Sequence, residues 1–229
     1  MKRAFVGWSG GKDCTLALHK IVEGHAYKPE MLLTNVSAEN RRVSMHGVRA
    51  ELITRQEFAL GIRGRKVYLP SNDSLEIYNK YMRSECELMK QRGIGYAVYG
   101  DIFLEDLKKY REEKLAEAGL QGIFPLWKKP PREVFSEFVG LGYKAMIVCV
   151  DESKLGKEFL GRTLDMSLLD QLPQGVDCCG ENGEFHTFCY DGPLFKSKVN
   201  ISTGEVVHKR YSAANGREWG FYFLDLLPV

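Results

Sequence analysis

The sequence holds no apolar run approaching the roughly 20 residues that a membrane span requires. It has no excess of one charge either. Its 32 Lys+Arg stand against 30 Asp+Glu for a net charge of +2, which excludes a general nucleic-acid-coating role, because such proteins carry clustered basic excess. The six cysteines, at positions 14, 86, 149, 178, 179 and 189, form no Cys-x-x-Cys pair of the kind a zinc finger needs. In a chain of 229 residues they read as reduced, buried thiols of a cytoplasmic protein. The start is basic at Lys2 and Arg3, but Gly7, Ser9, Gly10 and Gly11 interrupt it too early for a secretory h-region. There is no internal repeat, low-complexity tract or long linker. What remains is an ordinary globular composition, 44% hydrophobic and 27% charged, with ample material for a core.

The first two-thirds alternate β-type runs with helical stretches. The strand candidates are residues 3–8, 31–36, 66–69, 96–99 and 144–150, and the helix candidates are 15–22, 47–60, 74–92, 105–118 and 131–141. Pro131 suits the first position of its helix, where its fixed φ is preorganised and its missing N–H costs nothing. The run Ala145-Met146-Ile147-Val148-Cys149-Val150 is continuously apolar, as expected of a parallel strand covered by helices on both faces. This alternation predicts an α/β protein with a doubly wound, mainly parallel sheet. After about residue 155 glycine, proline and aspartate become frequent, and short alternating runs appear at 184–190, 196–201, 205–210 and 219–224. The expected organisation is therefore a nucleotide-binding domain over 1–154 and a smaller, mainly β lobe over 155–229. A cleft between the two, at the carboxyl ends of the strands, is where ligands bind in such sheets.

The segment Trp8-Ser9-Gly10-Gly11-Lys12-Asp13-Cys14-Thr15 joins the first predicted strand to the first predicted helix. Two glycines let backbone N–H groups approach an oxyanion, and the helix N-terminus adds free donors and partial positive charge. Lys12 supplies a full charge, and the hydroxyls of Ser9 and Thr15 supply further donors. Asp13 fits such a site if it holds a metal or caps the helix. A Walker A loop is excluded, since Val6 and Asp13 stand where it needs Gly and Ser/Thr, and the G-x-G-x-x-G fingerprint is absent. A plain βα turn is the simpler alternative, but it leaves the serine, lysine and aspartate around the glycines unexplained.

Ser9-Gly10-Gly11-Lys12-Asp13-Cys14 resembles the S-G-G-x-D-[ST] pyrophosphate loop of the N-type ATP pyrophosphatases, with Cys14 in place of the hydroxyl residue. Further segments narrow the resemblance. They are Val43-Ser44-Met45-His46, Gly100-Asp101, Leu160-Gly161-Arg162 with Leu164-Asp165, and Glu181-Asn182-Gly183-Glu184-Phe185-His186-Thr187 followed by Asp191-Gly192-Pro193-Leu194-Phe195. Together they resemble the diphthine–ammonia ligase family over nearly the whole chain.

That resemblance implies an adenine nucleotide alpha hydrolase-like (Rossmann-like) domain that cleaves ATP between its α- and β-phosphates. It implies amide formation in which a carboxylate is adenylated, pyrophosphate leaves, and ammonia displaces AMP. The implied nucleotide-binding set is Ser9, Gly10, Gly11, Lys12, Asp13, Cys14, Ser37, His46 and Asp101. Mg²⁺ is implied as a cofactor beside ATP, with Asp13 as its ligand. Lys12, Asp13, Glu181 and Glu184 are implied for catalysis, the glutamates by holding ammonium and taking its proton. The implied partners are ATP, AMP, free ammonium and a carboxylate acceptor, either diphthine on elongation factor 2 or another carboxylate; a homodimer is compatible with this class.

Several residues keep a second reading. Glu181 and Glu184 also suit a solvated loop, or a pairing of Glu184 with Arg162. His46 also suits a packed or helix-capping residue. Arg111 falls within the apolar stripe of Leu104, Leu107, Leu115 and Ala118, so it should reach an acid or an anion. Lys108, Lys109, Lys128, Lys129 and Arg132 form either a basic rim or an ordinary solvated surface. A tRNA-modifying pyrophosphatase and a nucleotide-binding module without turnover are the alternative functions.

Overall fold

The structure, a computed structural model, describes residues 1–70, 74–212 and 218–229. The parallel sheet is made of β1 (Lys2–Gly7), β2 (Tyr27–Ser37), β3 (Gly64–Leu69), β4 (Tyr96–Val98) and β5 (Gln121–Ile123), in the order β3-β2-β1-β4-β5. The helices are α1 (Lys12–Glu23), α2 (Ala50–Leu60), α3 (Leu75–Gln91), α4 (Glu105–Glu117) and α5 (Pro131–Gly140). All β1–β2, β2–β3, β1–β4 and β4–β5 pairings are parallel. The winding direction reverses between β1 and β4, so the loops that follow these two strands part at their carboxyl ends and leave a crevice. Those loops carry Ser9–Gly11 and Gly100–Asp101.

The second sheet is antiparallel, with β6 (Lys144–Asp151), β7 (Phe185–Asp191), β8 (Ile201–Ser212) and β9 (Glu218–Pro228) in the order β7-β6-β9-β8. Here the structure corrects the sequence reading, because β6 leaves the parallel sheet and becomes an inner strand of the antiparallel one. Its unbroken apolarity reports two covered faces rather than strand direction. Ala145, Ile147, Val148 and Val150 share a core cluster with Leu16 and Leu18 of α1, Phe135 and Phe138 of α5, and Leu164 and Leu168. The expected strand over 196–201 is irregular except at its last residue, and three-residue β5 had too short a signature to read. No described helix is long and apolar enough to cross a membrane.

One core cluster thus joins α1 to the second sheet, while a separate cluster packs α3 against the other face of the parallel sheet through Phe5, Leu33, Cys86 and Met89. All six cysteines are free, and Cys178 is the half-buried one among them. The first sheet therefore presents α1's N-terminus directly to β7, and this contact builds the site.

Candidate functional site at the β1–β4 crevice

Gly10 has φ +82°, a left-handed conformation that favours glycine, and a Cβ there would meet Gln56 Oε1 and Ile53 Cδ1, each at 2.8 Å. The turn is held from outside. Gln56 of α2 accepts from the Trp8 indole at 2.9 Å and donates to the carbonyls of Gly10 at 3.0 Å and Cys189 at 2.5 Å. The Cys189 N–H of β7 also donates to the Gly10 carbonyl at 2.8 Å. Thr187, on the same strand, accepts the Lys12 N–H on its hydroxyl at 3.0 Å. The loop is therefore a fixed bracket between two sheets. Its first-turn amides, those of Asp13 and Cys14, have no intrahelical acceptor by position and face the crevice end of α1.

Thr187→Val keeps the shape of this bracket but leaves the buried Lys12 N–H without its acceptor. The expected cost is about 1–3 kcal/mol of stability, read as a lower midpoint in denaturant with an unchanged slope.

Lys12 does not reach into solvent. It is 2% exposed, and its ammonium donates to both oxygens of Asp13, at 2.7 and 2.8 Å, and to the Cys179 carbonyl. Burial pulls its pKa down, but Asp13, Cys179 and Glu181 push it up by more, so the ammonium stays charged. Cys14 points the other way: its buried thiol donates to the Gly11 carbonyl at 3.1 Å, alongside the Thr15 hydroxyl at 2.8 Å. Ser9 Oγ lies 3.6 Å from Cys14 Sγ and 3.4 Å from the Gly11 N–H that donates to it.

Asp101, buried after β4, faces this loop. Its Oδ2 lies 2.9 Å from Arg111 Nε, out of line for a hydrogen bond, and the guanidinium covers the Tyr99 ring at 4.1 Å. Arg111 thereby finds the acidic partner its place in an apolar stripe demanded. Gly100 lets the two loops meet, because a Cβ there would stand 2.6 Å from the Asp13 carbonyl carbon and 2.9 Å from the Cys14 nitrogen. Gly100→Ala must therefore push α1's first turn away. The expected variant folds but binds nucleotide at least tenfold more weakly, about 1.4 kcal/mol, in calorimetric titration.

The glutamates separate. Glu181 lies in the crevice, where Oε1 accepts the Ile102 N–H at 2.7 Å. Burial pushes its carboxyl up to about 7; the Ile102 N–H opposes this, Asp13 and Asp101 add to it, and Lys12 opposes it. Glu184 is buried, and its oxygens accept from Asp177 N and Asn182 N, each at 3.1 Å, and from Asn182 Nδ2 at 3.0 Å. It ties the 177–184 loop together. Asn182 supplies two of those donors. Arg162 instead donates to Gln171 at 2.5 Å, so the pairing with Glu184 does not form.

His46 packs on the loop, and a Cβ on Gly11 would meet its Cε1 at 2.9 Å. Its Nδ1 lies 3.0 Å from the Thr187 carbonyl, which only accepts, so Nδ1 carries the proton. Burial lowers its pKa to about 4, the Thr187 contact opposes this, and Lys12 adds to it. Ser37 ends β2 on the far side of the 44–47 turn, where it lines a cavity of about 710 Å³ with Ser44, Gly47, Leu69, Trp219 and Phe223. That size lies in the usual range for a small-molecule site, about 300–1,000 Å³. Lys108 and Lys128 of the suggested basic rim pair with Glu112 and Glu105, and Lys129 pairs with Glu137.

No group of three or more His, Cys, Asp or Glu among the described residues could hold a metal ion. Both oxygens of Asp13 are taken by Lys12. The residues present therefore do not form a protein-built magnesium site. Gln56, Thr187 and His186 belong to the site although the sequence assigned them no role. Thr187 and His186 stood inside the quoted motif, whereas nothing in its own segment marked Gln56.

An open parallel sheet with a glycine bracket at its reversal point defines an α/β protein whose β1–β4 crevice lies where such sheets bind their ligands. Residues 1–122 match the diphthamide synthase N-terminal domain and residues 130–223 the diphthamide synthase C-terminal domain. The chain belongs to the diphthamide synthase family. It is 29% identical over 220 residues to the diphthine–ammonia ligase of Homo sapiens, covering 87% of this chain and 82% of that one. It is 28% identical over 223 residues to the diphthine–ammonia ligase of Danio rerio, covering 87% and 86%. A solved structure of a predicted subunit of tRNA methyltransferase from Methanocaldococcus jannaschii is 13% identical at a TM-score of 0.44, covering 86% of this chain and all of that one; nothing about function rests on a likeness this slight.

Proposed function

We propose that this protein is an ATP-dependent ligase that joins ammonia to a carboxylate, with release of AMP and pyrophosphate. The observation that carries the reading is the bracketed Ser9–Cys14 loop, charged by Lys12 and set beside Glu181, in a chain whose curated relatives are diphthine–ammonia ligases. The acceptor is assigned as the carboxylate of diphthine on elongation factor 2.

In the free protein Asp13 neutralises Lys12. The β- and γ-phosphates of ATP settle on the first-turn amides of α1 and compete with Asp13 for the ammonium, which stabilises the charge that leaves as pyrophosphate. Asp101 and Arg111 hold the opposite wall. The 44–47 turn lies between this loop and the cavity, since a Cβ on Gly47 would strike Phe223 at 2.6 Å; the adenosine occupies that cavity, with Ser37 on its wall. The acceptor carboxylate attacks the α-phosphorus and forms an acyl-adenylate. Glu181, poised near pH 7 beside Asp13 and Asp101, holds ammonium and accepts its proton. The ammonia formed attacks the acyl carbon and AMP departs. Mg²⁺, if bound, would rest on the nucleotide's phosphates and screen their charge, since the described residues offer no cage of their own.

Calorimetric titration tests the nucleotide half of this reading. A non-hydrolysable ATP analogue and pyrophosphate should compete for one site per chain. Independent, additive binding of the two would contradict it.

A further inference from the structure

His186 is a buried histidine that the ligase chemistry leaves unused. Its ring stacks on His46 with centroids 4.6 Å apart and planes tilted by 32°. Its Nε2 is buried and finds no hydrogen-bond partner among the described residues. His46 commits its Nδ1–H to the Thr187 carbonyl, so its remaining ring nitrogen carries a lone pair. The His46 imidazole stands against Gly11, the residue that precedes α1, and His186 packs on the His46 ring.

A ring nitrogen left buried and unpaired is costly, and a bound phosphate oxygen could complete it. We propose that His46 and His186 form a proton-accepting pair that takes up one proton when a polyphosphate occupies the Ser9–Cys14 loop and releases it when pyrophosphate leaves. The inference rests on the pyrophosphate reading of that loop.

The proton comes from solvent and goes to a ring-nitrogen lone pair; no covalent bond other than that N–H forms or breaks. The resulting imidazolium donates to a phosphate oxygen, turning an unpaired atom into a charge-assisted hydrogen bond. The electrostatics agree. Burial keeps both rings neutral in the free protein; at His186 the neighbouring His46 adds to this, and Lys12 of α1 opposes protonation of both, so the pair takes up one proton and not two. From β7 the Thr187 carbonyl favours it at His46. A bound polyphosphate brings several negative charges to the same place and reverses the balance.

Long-range ¹H–¹⁵N NMR of the ring nitrogens in the full chain tests this at neutral pH, with inorganic pyrophosphate as the probe. Without it, each ring should show one protonated and one bare nitrogen. With it, one ring should show two protonated nitrogens while the Gly11 amide shifts. A shifted Gly11 amide with both rings unchanged would overturn the proposal and leave the loop assignment standing. An unmoved Gly11 amide would overturn both.

A second readout is affinity against pH. Proton uptake on binding makes pyrophosphate affinity fall as pH rises, by at most about tenfold per unit. His186→Gln should flatten that slope relative to the parent chain, whereas equal slopes would contradict the pair.

Discussion

Lys12→Ala is expected to weaken pyrophosphate and ATP-analogue binding by about a hundredfold or more, the scale of about 3 kcal/mol for hydrogen bonds to a charged group. The same change strips Asp13 of the ammonium that both its oxygens hold. Asp13 then faces Asp101, Asp177 and Glu181 without a cation between them. Breaking a fully buried pair from one side costs about 3–5 kcal/mol; Asp13 keeps part of its side chain in solvent, so the single variant should unfold at lower denaturant by less than that. The double change Lys12→Ala/Asp13→Ala separates the effects. It should recover most of the stability and none of the binding. Recovery of binding in the double variant would mean that the lysine only neutralises the aspartate and never meets phosphate.

Glu181→Gln is expected to lower kcat by about 10²–10⁴, the usual worth of a positioned proton acceptor, with the KM for ATP changed little. The parent enzyme should show kcat rising with pH through about 7, because the carboxylate works as a base only when ionised. The inflection near 7 should vanish in the glutamine variant, whose residual rate keeps rising with the fraction of free ammonia instead. The sign for stability runs opposite. A carboxyl near 7 in the fold and near its ordinary value in the unfolded chain binds protons more tightly when folded, so its contribution is lost as pH rises through about 7. Glu184→Gln makes the contrast, since that side chain ties its own loop together. It should lower stability, and any fall in kcat should be accompanied by looser binding of every substrate.

The parts of this account legible in the sequence are those written in consecutive residues. The β1–α1 junction was readable because two glycines, a lysine and an aspartate sit where a strand meets a helix. Helices α3, α4 and α5 were readable as helical stretches between the strand candidates, α5 also from Pro131 at its first position. The direction of β6 was not, because an apolar run is the same whether its neighbours run parallel or antiparallel. Gln56 was illegible for a different reason. It acts 46 residues from Gly10 and 133 from Cys189, and its own segment is an ordinary amphipathic helix. The two glutamates of the 181–184 segment looked alike in sequence. Only the fold shows one accepting a single backbone N–H in the crevice and the other saturated by three donors of its own loop. Cys14 likewise turned out to face inward, so its departure from the usual hydroxyl residue leaves the first-turn amides in place.

The measurement closest to the central claim follows the two ends of ATP separately. The protein is given ATP labelled at the α- and γ-phosphates, ammonium, and elongation factor 2 carrying diphthine. The α-label should appear in AMP and the γ-label in pyrophosphate, in equal amounts, with amide forming on the acceptor in step with them. Label appearing in ADP and inorganic phosphate, with amide formed, would contradict that claim.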